Sequence, residues 1–222
     1  MEKNLQLIVM LTHDDKTVAN ALEVFEKCKD TKAQFWGFKE APLPLSEMKE
    51  LYAYMKTCGK TTFLEVIAYT EEEGMAGAKV AAECGCDVLM GTCFSDAINA
   101  FCHEHGLKYM PFVGHISGRP SVLEGSAGDM IQESKHYLEK GAWGIDLLGY
   151  RYKGNAKVLI ESFVQAVDAP VCLAGSINSF ERLDEVKQMQ PWAFTIGSAF
   201  FEHRFGDGFA NQIDEVINYV SK

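Results

Sequence analysis

Short apolar runs alternate with longer amphipathic segments from one end of the 222-residue chain to the other. A short apolar run bounded by turn residues reads as a buried strand; apolar positions three and four apart read as a helix facing a core. The first run is Leu5 to Leu11, followed by helical spacing from Thr17 to Lys29. Ala33 to Phe38 precedes a helix over Leu45 to Cys58, and Thr61 to Ile67 precedes one over Glu71 to Cys84. Asp87 to Gly91 leads to a helix over Ser95 to Glu104, and Lys108 to Val113 to one over Ala127 to Lys140. The last strands are Trp143 to Leu148, Pro170 to Ala174 and Trp192 to Ile196, with helices over Ala156 to Val167, Phe180 to Gln190 and Gly208 to Val220.

Punctuation agrees with the periodicity. Gly59, Gly85, Gly106 and Gly141 fall where helices should stop, and Ser95-Asp96 and Ser179 where helices should start. Strict alternation implies parallel strands joined by right-handed crossovers. Eight units over residues 1–222, with no linker-like stretch, predict a single-domain α/β fold, the closed (β/α)8 TIM barrel. An open doubly wound sheet would carry a glycine-rich first turn, whereas Leu11 is followed by Thr-His-Asp-Asp.

Composition narrows the classes of function. Hydrophobic residues at 47% and charged residues at 23% are those of a globular chain, which sets disorder aside. A net charge of −10, with no dense Lys/Arg cluster, disfavours nucleic acid as a partner. No run approaches the ~20 apolar residues needed to cross a bilayer, so a membrane partner is not expected. The apolar run after Met1-Glu2-Lys3-Asn4 is too short for a signal sequence, which points to the cytoplasm. Seven cysteines without regular spacing do not form a disulfide framework. The tightest group, Cys84, Cys86, Cys93, Cys102, His103 and His105, lacks zinc-knuckle spacing and reads as buried or surface thiols.

Candidate chemistry belongs at the C-terminal ends of the barrel strands, with phosphate commonly bound after the seventh and eighth. Those ends read Cys172-Leu-Ala-Gly-Ser-Ile177 and Phe194-Thr-Ile-Gly-Ser-Ala199. Glycine lets backbone approach an anion closely, and the N–H groups and hydroxyl that follow can donate to it. Ala-Phe-Phe-Glu-His-Arg after Ser198 is long enough for a short extra helix. The segment from Val171 to Phe201 resembles the closing half of the ribulose-phosphate-binding barrel superfamily, which includes sugar-phosphate epimerases, decarboxylases and aldolase-like barrels. The resemblance implies that Gly175, Ser176, Gly197 and Ser198 grip a substrate phosphate, and it allows a homodimer through an outer helix face.

Other strand ends supply the reactive candidates: His13 and Asp14, Lys39 and Glu40, Glu65, Thr92, His115, and Asp146 with Arg151 and Lys153 in its loop. Glu65 and Asp146 lie inside apolar strands, where a carboxylate is costly unless compensated. Each reads either as a buried ion pair or turn cap, or as an acid/base or metal ligand facing the mouth. Lys39 could polarise an enediolate oxygen, pair with a strand carboxylate, or form a Schiff base if desolvated. His115 sits in a Gly-rich loop long enough to act as a lid.

The chain departs from two patterns of the superfamily. Where the metal-dependent epimerases carry His-x-Asp on strand two it has Phe38-Lys39-Glu40, and where the decarboxylases carry Asp-x-Lys-x-x-Asp on strand three it offers only Glu65. These residues require no cofactor, although His13, Glu65, His115 and Asp146 could converge on a divalent metal. The expected function is a phosphosugar or phospho-sugar-acid enzyme, an isomerase, epimerase or retro-aldol lyase of carbohydrate metabolism that abstracts a proton next to a carbonyl. Its partner is then a small phosphorylated metabolite. The alternative is a non-catalytic barrel that senses such a metabolite and regulates a partner protein.

Overall fold

The structure, a computed structural model, describes residues 5–222. Its eight main strands are Gln6–Met10, Phe35–Lys39, Thr61–Val66, Val88–Gly91, Lys108–Met110, Ile145–Leu147, Val171–Leu173 and Ala193–Ile196. All pair in parallel, in the order sixth, seventh, eighth, first, second, third, fourth, fifth. The seam between fifth and sixth is drawn together by a single bridge, Phe112 to Asp146, and by the Asp146 N–H donating to the Pro111 carbonyl at 3.0 Å. Pro111 has no N–H to give a ladder, which is why the fifth strand stops short of Val113. The result is a nearly closed TIM barrel.

Strand side chains alternate between two environments. Leu7, Val9 and Leu11 point outward into the layer beneath the helices, while Ile8 and Met10 point into the barrel. Phe63, Val88, Met90, Met110, Cys172 and Ala193 complete that interior, and Phe35, Trp143 and Trp192 plug its N-terminal end. The same two-residue period fixes the polar candidates. Lys39 follows Phe35 and Gly37 on the inner face, Glu65 follows Phe63, Thr195 follows Ala193, and Asp146 lies between outward-facing Ile145 and Leu147. Register then sets Lys39 beside Glu65, and Asp146 beside Cys172.

Helices Ala21–Cys28, Leu45–Thr57, Glu71–Glu83, Asp96–Glu104, Ala127–Glu139, Ala156–Ala166, Phe180–Met189 and Phe209–Val220 cover the outside. Gly59, Gly85, Gly106 and Gly141 end helices in left-handed backbone, and the Ser95 and Ser179 hydroxyls accept helix N–H groups. All seven cysteines are free thiols. Among the described residues, no helix is long and apolar enough to cross a membrane.

Two loops depart from the sequence reading. Thr17 to Asn20 is not helical, because Thr12–His13 and Lys16–Thr17 pair as a hairpin and the helix begins only at Ala21. Asp14 and Asp15 turn this hairpin in left-handed backbone, at φ 48° and 64°. Positive φ at both central residues matches the twist of the flanking strands. Thr17 secures it across the second strand: its Oγ1 accepts from the Lys39 N–H at 2.9 Å and donates to the Lys39 carbonyl at 2.8 Å. The second loop is the long one after the fifth strand, where His115–Ser117 and Val122–Glu124 form another hairpin.

Candidate active site

A cavity of about 210 Å³ opens at the C-terminal end of the barrel. Lys39 stands at its floor. Its ammonium pairs with Asp15 of the first hairpin and lies 3.7 Å from the Glu65 carboxylate. Burial works against the ammonium, but Glu65 and Asp15 outweigh it and hold the Lys39 pKa above its ordinary value. Asp146 is fully buried, does not line the cavity, and neither of its carboxylate oxygens has a hydrogen-bond partner. The Gly91 amide is near enough to favour the charged form slightly, yet falls short of hydrogen-bond geometry. Burial first, and the negative charge of Glu65 second, push the Asp146 pKa well above its ordinary value.

The opposite wall comes from the last two strand ends. Gly175, Ser176, Gly197 and Ser198 all line the same cavity. Gly175 and Ser176 are consecutive left-handed residues, at φ 81° and 59°, and a Cβ at Gly175 would lie 2.7 Å from Arg151 Nε. At Gly197 the limit is space rather than conformation: a Cβ would meet Thr12 Oγ1 at 2.4 Å and the Thr12 carbonyl at 2.8 Å. Ser198 starts the short helix Ser198–Phe201, and its Oγ accepts the Asp14 N–H at 3.1 Å.

The second hairpin roofs the mouth. Tyr69 donates to the Gly118 carbonyl and shares a hydrogen bond with Ser121 Oγ, both at 2.8 Å, while Arg119 Nη2 donates to the Ile67 carbonyl at 2.8 Å. On the other side Tyr152 donates to the Gly125 carbonyl and Lys153 pairs with Glu124. Ser121 thereby reaches the cavity wall. A segment tied at both flanks is a fixed roof rather than a free lid. Tyr69→Phe removes the hydroxyl anchor. It is expected to cost about 1 kcal/mol and to speed hydrogen exchange through residues 115–124, with the barrel strands unaffected.

Lys39, Glu65 and the four residues of the Gly-Ser pairs are thus brought together, with Asp146 directly behind. His13 and His115 are not part of the cavity lining. His13 packs on Phe201 and has Asp14 for a neighbour, whereas His115 is exposed opposite Glu124. Thr92 is buried and bonds to the Tyr109 hydroxyl at 2.7 Å. The four metal candidates do not gather. Among the described residues, ligand-type atoms come within 4.8 Å of one another in one group of three, His13, Asp14 and Glu202, where Glu202 already pairs with Arg204. Asp15, Ser121 and Glu202 line the cavity without having been singled out from the sequence. Asp15 carried the one usable signal, since an Asp-Asp pair between Thr-His and Lys-Thr is turn chemistry.

Solved structures share this architecture at low sequence identity. Orotidine 5'-phosphate decarboxylase from Pyrococcus horikoshii matches with a TM-score of 0.69 at 11% identity, over 98% of this chain and 100% of that one. N-acetylmannosamine-6-phosphate 2-epimerase from Clostridium perfringens matches at 0.65 and 14%, over 87% and 86%. At such identity these likenesses show the TIM-barrel fold of this chain. A glycerol uptake operon antiterminator regulatory protein from Listeria monocytogenes also matches, with a TM-score of 0.60 at 15% identity over 88% and 92%. No protein-family model matches the chain, and no curated protein matches it in sequence.

Proposed function

We propose that the protein is an enzyme acting on a small phosphorylated sugar or sugar acid by removing a proton next to a carbonyl. The observation that carries this is one cavity with two unlike walls: the two Gly-Ser pairs on one side, the Lys39–Glu65–Asp15 group on the other. Phosphate held on the first wall fixes the carbon chain against the second, which replaces a bimolecular encounter by a positioned one. The Glu65 carboxylate takes the C–H proton and the electron pair moves to the carbonyl oxygen, giving an enediolate. The ammonium of Lys39 stabilises that oxygen. Returning the proton to carbon gives isomerisation or epimerisation, and cleaving the adjacent C–C bond gives the retro-aldol outcome. Two acidic neighbours keep Lys39 protonated, which suits an electrophile and opposes Schiff-base attack by a neutral amine.

A second reading, a sensor without chemistry, draws support from the same feature: the Lys39 charge is already balanced, as in a structural ion pair. Fold similarity to epimerase, decarboxylase and regulator alike does not choose between them. Thermal unfolding against phosphate and a panel of pentose, hexose and sugar-acid phosphates tests the grip. A ligand at 100 times its Kd adds about 2.7 kcal/mol, a rise of roughly 5–11 °C for a chain of this size. The rise should vanish in Ser198→Asp, which adds negative charge at the grip without the collision that any side chain at Gly197 meets. No rise with any phosphate would end the proposal. Incubating the stabilising ligand in D2O then separates the readings, since enzyme incorporates deuterium at carbon and a sensor does not.

A further inference from the structure

A second, larger chamber of about 610 Å³ adjoins the first. Asp15, Lys39, Arg151 and Ser198 line both. Its remaining wall is Asp14 and Lys16 of the first hairpin, Glu40, Ala41 and Pro42 after the second strand, and Arg119 and Pro120 at the tip of the roof. The inner cavity already has backbone and hydroxyl donors for a phosphate. The outer chamber offers cations instead.

These cations are unspent. No ion pair among the described residues involves Arg151, Arg119 or Lys16, and the Arg151 guanidinium makes no hydrogen bond there. Arg119 spends one arm on the Ile67 carbonyl, which holds its planar group in place with other donors free. Lys39 and Arg119 favour the charged form of Glu40, but no acidic residue of the chamber forms an ion pair with Arg119, Arg151 or Lys16. Asp15 is committed to Lys39, and Asp14 turns to solvent with its side chain 85% exposed. Burial pushes the Glu40 pKa up, and its Oε2 has no partner.

We infer that the outer chamber is a carboxylate subsite, in which Arg151 and Arg119 receive the acid group of a substrate whose phosphate lies in the inner cavity. A fork of planar N–H donors matches a carboxylate, and sugar hydroxyls alone would leave these charges uncompensated. Lys39 lines both chambers, so a substrate spanning them passes it. The substrate class is therefore the phosphorylated sugar acids rather than neutral phosphosugars. This rests on the proposed phosphate grip, and the test separates the two.

The experiment is calorimetric titration of the full chain with 6-phosphogluconate and sorbitol 6-phosphate, which differ in carrying a carboxylate or an alcohol at C1. The acid should bind about tenfold tighter or more. In Arg151→Gln that ratio should fall to near one. Arg119→Gln should lower the ratio in the same direction, and serves if the first variant folds poorly. Equal affinities in the unaltered protein would overturn the subsite and leave the grip standing. Equal weakening of both ligands in Arg151→Gln would also overturn it, by assigning that guanidinium to the phosphate. Failure of both esters and of inorganic phosphate to bind would remove the grip, and the subsite with it.

Discussion

Replacing Lys39 with methionine is expected to abolish turnover and to destabilise the fold at once, and the two losses have different origins. Lys39 is the cation that compensates Glu65 and Asp15, with only 11% of its side chain exposed. Methionine fills much of the same volume and leaves both carboxylates unpaired. Breaking one side of a buried pair typically costs about 3–5 kcal/mol, because the stranded charge keeps its desolvation penalty. The melting temperature should drop by at least about 6 °C. Turnover should fall by about 10²–10³-fold, as when a single donor to a developing oxyanion is lost. The double variant Lys39→Met/Asp15→Asn, which keeps the Glu65 base, separates the effects, since removing one of the two stranded charges should restore part of the stability and none of the activity. Turnover that recovers with stability would make Lys39 a structural residue and favour the sensor reading.

The barrel itself was legible because strand alternation and helix spacing extend over many residues, and each unit repeats the message. The inward placement of Lys39, Glu65 and Asp146 follows from the same period, counted from Phe35, from Phe63 and between Ile145 and Leu147. What period two cannot supply is the angle at which a loop returns. Asp14 and Asp15 turn in left-handed backbone without a glycine to announce it, so Thr17 to Asn20 reads as the start of a helix while the chain is still leaving a hairpin. Three-residue strands such as His115–Ser117 and Val122–Glu124 are too short to show alternation, and the roof they build was read as a free loop. Asp15, Arg119 and Ser121 all reach the chambers from those two hairpins. The site's frame is thus written in periodicity, and much of its charge in turns.

Asp146→Asn should leave ligand binding intact, lower turnover and change how stability depends on pH. The side chain is buried and does not line the cavity, so affinity for a phosphorylated ligand has no direct reason to move. Asparagine matches the neutral acid in size and carries no titratable proton. The acid's pKa is raised in the folded protein, while in the unfolded chain it ionises near ~3.9. Between those two values the folded state binds more protons than the unfolded one, so the contribution of Asp146 to stability is present in acid and lost as pH rises. Melting curves from pH 4 to pH 8 should show the variant gaining on the native protein across that range; a constant gap would mean that Asp146 is ionised in both states. The catalytic consequence follows from its neighbour. Glu65 and Asp146 cannot comfortably both be charged in so enclosed a place, and Lys39 lies against Glu65. Glu65 faces the cavity and Asp146 lies behind it with its pKa raised, an arrangement suited to a base facing the substrate and a proton stored behind it. Removing the stored proton should lower turnover by about 10²–10⁴-fold, and the loss should appear in kcat while KM holds. Unchanged turnover in Asp146→Asn would reduce the residue to a buried spectator and leave Glu65 to carry the proton in both directions.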